Sequence, residues 1–117
     1  MSFRVLLLED DDLVRRLFAR HLRRRGCVVW EVATVQEALD TLPEAAPNVI
    51  TSDVMLVGET GLDLFNRLSP TLQQRVIFVT GYAGFAREEL ALTGCPVLYK
   101  PFQLEELWAV IHIIAGG

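Results

Sequence analysis

Five short apolar runs divide this chain, at residues 3–8, 27–33, 49–53, 75–80 and 97–100, and a helical pattern follows each one. The first run, FRVLLL, is continuous apart from Arg4 and stops at four acids, as a strand buried on both faces does. CVVWEVA is rich in β-branched and aromatic residues and predicts the second strand. Between them Asp11 or Asp12 can cap a helix whose apolar stripe is Leu13, Val14, Leu17, Phe18 and Leu22. Arg15, Arg16, Arg20, Arg23 and Arg24 take the other side, and Gly26 ends the helix. Thr34 caps a helix running to Leu42, with Pro43 and Pro47 bounding the loop beyond it. After the third run a loop, VGETG, leads to a helix over 61–68 with Leu62, Phe65 and Leu68 inward, closed by Pro70. A loose turn at 81–84, a short helix over 85–92 and a last helix over 104–115 complete the pattern. Five strand–helix units imply an α/β domain, (βα)5, with a doubly wound parallel five-stranded sheet.

With 117 residues the chain has room for one domain, and that length buries a core without staples. Hydrophobic residues at 51% beside 22% charged fit a packed domain rather than a disordered one. A net charge of −4 argues against a general nucleic-acid binder. VLLL is too short for the apolar core of a signal peptide, and no segment reaches membrane-spanning length. A cytoplasmic location without membrane insertion is therefore expected. Cys27 and Cys95 are too few for a disulfide framework and lack metal-ligand spacing, so free thiols are expected.

In open parallel sheets, function collects at the carboxyl ends of the strands. Glu9 and Asp10, Asp53, Thr80 and Lys100 end four different runs. Three carboxylates brought together there repel: at about 5 Å and an effective dielectric near 20, each pair costs about 3 kcal/mol. A cation relieves that cost, and hard oxygen ligands suit Mg2+ or Mn2+. Lys100 adds a point charge and Thr80 a hydroxyl donor. Carboxylate, divalent metal, lysine and hydroxyl are what a phosphoryl group needs, with Asp53 as a nucleophile that becomes an acyl phosphate.

EDD after the first run, SDVML with GETG behind it, FVTGY and YKPF together resemble the receiver domain of two-component response regulators. The similarity runs the length of the chain in order and spacing. It implies a flavodoxin-like fold with strand order 2-1-3-4-5. It implies that Asp53 takes a phosphoryl group from a phosphohistidine on a histidine kinase or histidine-phosphotransfer protein. Glu9, Asp10, Asp53 and the backbone carbonyl of Met55 match the metal ligands. Thr80 matches the switch hydroxyl, Lys100 the lysine that pairs with the phosphoryl group, and Lys100–Pro101 the family's cis peptide. In that strand order four steps of about 4.8 Å separate Cys27 from Cys95, beyond disulfide reach.

Several positions depart from the family pattern. Glu9 stands where Asp is commoner and reaches one methylene further. Val57 stands where Pro is frequent, which is expected to loosen the loop. Val97 holds the place of an aromatic switch residue, and Tyr99, two along on the same strand face, is the candidate substitute. Gln103 is a weak helix cap. Met55 and Tyr82, flanking the acceptor, offer no carboxylate or amide to orient water, so slow dephosphorylation is expected. His21 and His112 read as structural. The arginine face of the first helix reads as solvated, or as a dock for a phosphotransfer partner. Trp108 and Ile113 widen the apolar stripe of the last helix and suggest a partner surface, a homodimer or an adjoining domain. The expected unit is one receiver domain over 1–117 with no output domain. A phosphatase of the haloacid-dehalogenase type would want a second Asp where Met55 stands, and a pseudo-receiver acting as a binding module is the other alternative.

Overall fold

Every residue from Val49 to Asp53 is buried, because this strand lies at the centre of a sheet covered on both faces. The computed structural model describes residues 2–82 and 84–116. In chain order the elements are β1 (Arg4–Leu8), α1 (Asp12–Arg24), β2 (Val28–Val32), α2 (Val35–Ala45) and β3 (Val49–Asp53). Two short strands follow, β4 (Met55–Leu56) and β5 (Glu59–Thr60), then α3 (Gly61–Phe65) and α4 (Pro70–Gln73). The chain continues through β6 (Val76–Thr80), α5 (Arg87–Thr93), β7 (Val97–Tyr99) and α6 (Leu104–Gly116). The main sheet has the order β2-β1-β3-β6-β7 with every neighbour parallel, which is the expected 2-1-3-4-5 once the small β4–β5 pair is set aside.

Alternation along the strands sorts the core into two layers. Val5, Leu7, Val49 and Ile77 face Ala19 and Leu22 of α1 and Leu107 and Ile111 of α6. Leu6, Leu8, Ile50 and Phe78 face Val35 and Ala38 of α2, Leu64 of α3 and Leu90 of α5. The wide stripe predicted for α1 is corrected by this packing. Its buried residues are Ala19 and Leu22, with Phe18 partly buried against the same core and Val14 half-buried, while Leu13 and Leu17 stand 79% and 53% exposed. Arg15 also leaves the solvated face: its guanidinium donates to the Glu9 carbonyl at 2.9 Å and to Asp12 Oδ1 at 2.7 Å.

Helix ends differ from expectation for local reasons. Pro43 lies inside α2, whose last turn closes when the Ala46 N–H donates to Leu42 O at 2.9 Å. The helix predicted over 61–68 keeps its start but tightens after Phe65, where Arg67 and Leu68 donate to the carbonyls three residues back. Leu64, not singled out in the sequence, is its fully buried residue. Pro70 does not simply close that helix; it opens α4, a single turn capped by the Ser69 side chain. α5 begins two residues later than predicted, after Ala86 in the left-handed region at φ +54°. Cys27 and Cys95 are both free. Trp108 is half-buried rather than bare, tilted against Phe3 and His112 and covered by the Arg25 guanidinium at 5.3 Å. Ile113 remains 69% exposed.

Candidate functional site

Register places the acids. Leu8 of β1 pairs with Ser52 of β3, so Glu9 and Asp53, one residue further along, emerge side by side at the carboxyl rim. The next step outward pairs Asp53 with Val79, and Thr80 pairs with Tyr99. The Lys100 N–H extends that ladder, donating to Thr80 O at 2.8 Å, and the Lys100–Pro101 peptide is cis. From this edge the lysine stem crosses back over β6 to the acids. Lys100 Nζ donates to Glu9 Oε1 at 2.8 Å and lies 3.6 Å from Asp53 Oδ2.

Glu9, Asp10 and Asp53 each present a carboxylate oxygen, all within 4.8 Å of one another. Glu9 and Asp53 are buried, while Asp10 is half-buried. Burial pushes the Asp53 carboxyl up, and a hydrogen bond and negative charge from Glu9 push it further, to about 7, with Lys100 only partly opposing. Burial alone would raise Glu9 as well. The hydrogen bond from Asp53, the Lys100 ammonium and the Asp11 N–H outweigh it and hold Glu9 below the ordinary carboxylate range. Burial works against the ammonium of Lys100, yet the two carboxylates keep it above its ordinary value. The rim is thus a coupled carboxyl pair, with one lysine beside it that only partly offsets its repulsion.

The loop after Asp53 is not loose. Met55 and Leu56 pair with Thr60 and Glu59 in a hairpin, and the turn passes through Gly58 at φ +74°, where glycine is favoured. The Val57 N–H donates to Asp10 Oδ2 at 2.8 Å, a bond that proline at this position, lacking the hydrogen, could not make. Glu59 Oε2 reaches 24 residues back to accept from the Val35 N–H at the start of α2 at 3.0 Å. These braces, with Arg15 on the Glu9 carbonyl, escaped the sequence. The one available signal was that Val57 has an N–H to give. Beneath the rim a void of about 10 Å3 is lined by Leu7, Glu9, Phe18, Thr51, Asp53 and Val79.

Of the residues singled out in the sequence, the structure gathers Glu9, Asp10, Asp53 and Lys100. Thr80 stands at the same rim, but its buried hydroxyl is bonded to the Tyr82 backbone, accepting from the N–H at 3.2 Å. Met55 opens β4, two residues past Asp53. Val97 packs against the α2–α5 layer and Tyr99 is exposed beside Thr80.

The rim, with acids from two central strands and a lysine from an edge strand, sits at the carboxyl ends of the strands of a doubly wound α/β domain. Residues 5–112 match the response regulator receiver domain family, and the chain belongs to it. It is 40% identical over 111 residues to the sensor kinase CckA of Brucella abortus, covering 91% of this chain and 12% of that one. It is 30% identical to the response regulator receiver protein CpdR of the same organism, covering 89% of each chain. By contrast the chain spans 34% of the transcriptional regulatory protein AfsQ1 of Streptomyces coelicolor and 44% of the sensory transduction protein LytT of Bacillus subtilis. Among solved structures, a receiver protein from Burkholderia phymatum superposes with a TM-score of 0.83 at 29% identity, covering 99% of this chain and 96% of that one. A CheY-like receiver domain protein from Methanospirillum hungatei gives 0.86 at 25% identity, covering 99% and 95%. The chain is a receiver domain of the kind that two-component signalling uses.

Proposed function

We propose that Asp53 accepts a phosphoryl group from a phosphohistidine on a histidine kinase or histidine-phosphotransfer protein. The observation that carries this reading is the convergence of three carboxylates within 4.8 Å with Lys100 3.6 Å from Asp53. An Asp53 oxygen attacks phosphorus, the phosphorus–nitrogen bond of the donor imidazole breaks with its electron pair leaving on nitrogen, and an acyl phosphate forms. The all-oxygen donor set of Glu9, Asp10 and Asp53, with the Met55 carbonyl as the further ligand, fits Mg2+ or Mn2+. When bound, such an ion supplies charge neutralisation for the phosphoryl oxygens. Lys100 pairs with the phosphoryl group, and Thr80 turns toward it by giving up its bond to the Tyr82 backbone, which releases the loop beyond β6. Tyr99, the cross-strand neighbour of Thr80, is placed to follow that change in the absence of an aromatic at Val97.

The donor docks on α1. Leu13 and Leu17 are exposed on a ridge continued by Arg20 and Arg24, with Arg16 beside it, and α1 starts three residues after Glu9. An apolar and basic ridge so near the rim suits the acidic, amphipathic helix of a phosphotransfer partner. Ile113 on α6 offers a second surface, for a homodimer or an adjoining domain; the cover over Trp108 narrows that surface to Ile113. The unit works in the cytoplasm as a phosphorylation switch that assists its own phosphotransfer, within a single receiver domain over 1–117. Incubation with Mg2+ and acetyl phosphate, read by intact mass, tests the reading. Wild type gains one phosphoryl group and Asp53→Asn gains none; a wild type that gains nothing is a pseudo-receiver acting as a binding module.

A further inference from the structure

We propose that the void beneath the rim is a site for one buried water, held by the Thr51 hydroxyl and the carboxylates of Glu9 and Asp53, and that Thr51 thereby positions Asp53 from below. The water's place does not depend on phosphotransfer; its effect on loading rests on the phosphoacceptor reading.

Thr51 is a hydroxyl in an apolar place. It sits in the middle of β3, 1% exposed, with Leu7 of β1 and Ile77 of β6 as its cross-strand neighbours. Two residues apart on one strand, Thr51 and Asp53 face the same side of the sheet, and Glu9 follows Leu7 to that side in the same way. Two buried side-chain polar atoms lack a hydrogen-bond partner among the described residues, Thr51 Oγ1 and Arg15 Nε. The arginine nitrogen has Glu31 Oε1 at 3.6 Å to answer its charge. The threonine borders the void instead. Valine has nearly the same shape without the donor and acceptor, so a hydroxyl in this position calls for a partner.

The void fits one water and little else. Its volume is about 10 Å3, at the lower edge of the ~10–15 Å3 that a buried water requires. Leu7, Phe18 and Val79 are apolar wall, while Thr51, Glu9 and Asp53 supply polar atoms. Three partners is the usual complement of such a water. Donors and acceptors match as well. The Thr51 O–H donates to the water oxygen, and the two water hydrogens go to one oxygen each of Glu9 and Asp53. Glu9 keeps lone pairs for this, since Oε1 accepts from Lys100 Nζ at 2.8 Å and Oε2 from the Asp11 N–H at 3.2 Å. A divalent cation needs six or more oxygen ligands, and the void has no space for the further waters that would complete such a set. The water turns the positive end of its dipole toward two carboxylates that repel. Held at one oxygen from beneath, the Asp53 carboxylate loses freedom to rotate, and its other oxygen stays aimed out of the rim, where attack on phosphorus begins.

The test is a set of high-resolution crystal structures of the full chain, grown without metal or phosphodonor, for wild type, Thr51→Val and Thr51→Ser. Acetyl phosphate loading with Mg2+ is followed on the same proteins. Wild type and Thr51→Ser show one water within about 3.2 Å of the hydroxyl and of a carboxylate; Thr51→Val shows none. The maximal loading rate of Thr51→Val falls several-fold at an unchanged half-saturating donor concentration, and Thr51→Ser restores it. A wild-type void without water, or a water that persists in Thr51→Val, overturns the proposal. So does a Thr51→Val that loads as fast as wild type, or a Thr51→Ser as slow as Thr51→Val. A wild type that takes no phosphoryl group ends the acceptor reading and the positioning role with it, while the crystals decide the water by themselves.

Discussion

Gly61 runs so close to Asp53 that a side-chain carbon on it would stand 2.5 Å from the Asp53 carbonyl oxygen and 2.8 Å from Ser52 Oγ. The approach is fixed by hydrogen bonds on both sides: Gly61 N–H donates to Val54 O at 2.9 Å, and Val54 N–H to Val79 O at 2.8 Å. Glycine here is a matter of space rather than of backbone angle, and the obstacle is main chain that cannot swing aside. Gly61→Ala is expected to cost about 1–3 kcal/mol, the usual penalty for overpacking a filled site. Because the displaced group is the acceptor's own backbone, phosphoryl loading falls further than stability does. Urea unfolding and intact-mass loading on the same preparation check both halves; full loading at wild-type stability refutes the close packing.

Metal-free protein should lose stability as the pH climbs from about 4 toward 7. The Asp53 carboxyl sits at about 7 in the folded chain against an ordinary value of 3.8. Between those values the native state keeps a proton that the unfolded chain has released, so rising pH favours unfolding. Glu9, held below its ordinary 4.5, acts in the opposite sense: its contribution is present above that value and is lost as the pH falls through its folded value. Lys100, held above its ordinary 10.5, contributes stability that disappears only as the pH rises through its folded value. The neutral window therefore belongs to Asp53. Melting temperature against pH in chelator should slope downward for wild type and stay flat for Asp53→Asn, which becomes the more stable protein above pH 7. Mg2+ should flatten the wild-type slope, because the cation binds the ionised carboxylates. Equal slopes in both proteins would falsify the assignment.

The five rim residues were legible because they follow from where apolar runs stop, while the strand order came only with the family resemblance carried by EDD, SDVML, FVTGY and YKPF. A run that ends in Glu9-Asp10, in Asp53, in Thr80 or in Lys100 puts that residue at the carboxyl rim whatever the helices do. What stayed hidden depends on rotation and on long-range reach. Leu13 and Leu17 fit a helical stripe as well as Phe18 and Leu22 do; only the packing of Ala19 against the sheet shows which ridge turns inward. Trp108 looked uncovered because Phe3 and Arg25, its covers, lie more than 80 positions away in sequence. Val57 was read by what it lacks, the proline ring, when its effect comes from the N–H it keeps.

Glu59 ties the hairpin behind the site to α2, and removing that tie should loosen a helix far from it in sequence. Thr34 already caps the helix, its side chain accepting from the Glu37 N–H at 3.1 Å. Glu59 covers the Val35 N–H at 3.0 Å, a donor of the first turn that Thr34 leaves open. Glu59→Ala should cost about 1 kcal/mol, the scale of a lost cap. Glu59→Gln keeps an oxygen acceptor and should cost less, losing mainly the attraction of a carboxylate for the helix N-terminus, about 0.3–1 kcal/mol. Hydrogen exchange at Val35 should accelerate in the alanine variant, and unchanged protection there means the tie carries no energy.

An acyl phosphate on Asp53 should persist for many minutes. Hydrolysis needs a water aligned with the phosphorus–oxygen bond, and a carboxylate or amide near the acceptor does that aligning. The two exposed side chains that flank the rim, Met55 and Tyr82, offer a thioether and a phenol at the end of a ring. Neither holds water firmly where the attack must start, and their apolar surface narrows its approach. Met55→Asn introduces an amide on the same short strand and should shorten the lifetime several-fold. Loading with acetyl phosphate, removal of the donor and timed intact-mass measurement give the decay directly. A wild-type lifetime of a few seconds, or a Met55→Asn decay no faster than wild type, would show that water is positioned by some other group at this rim.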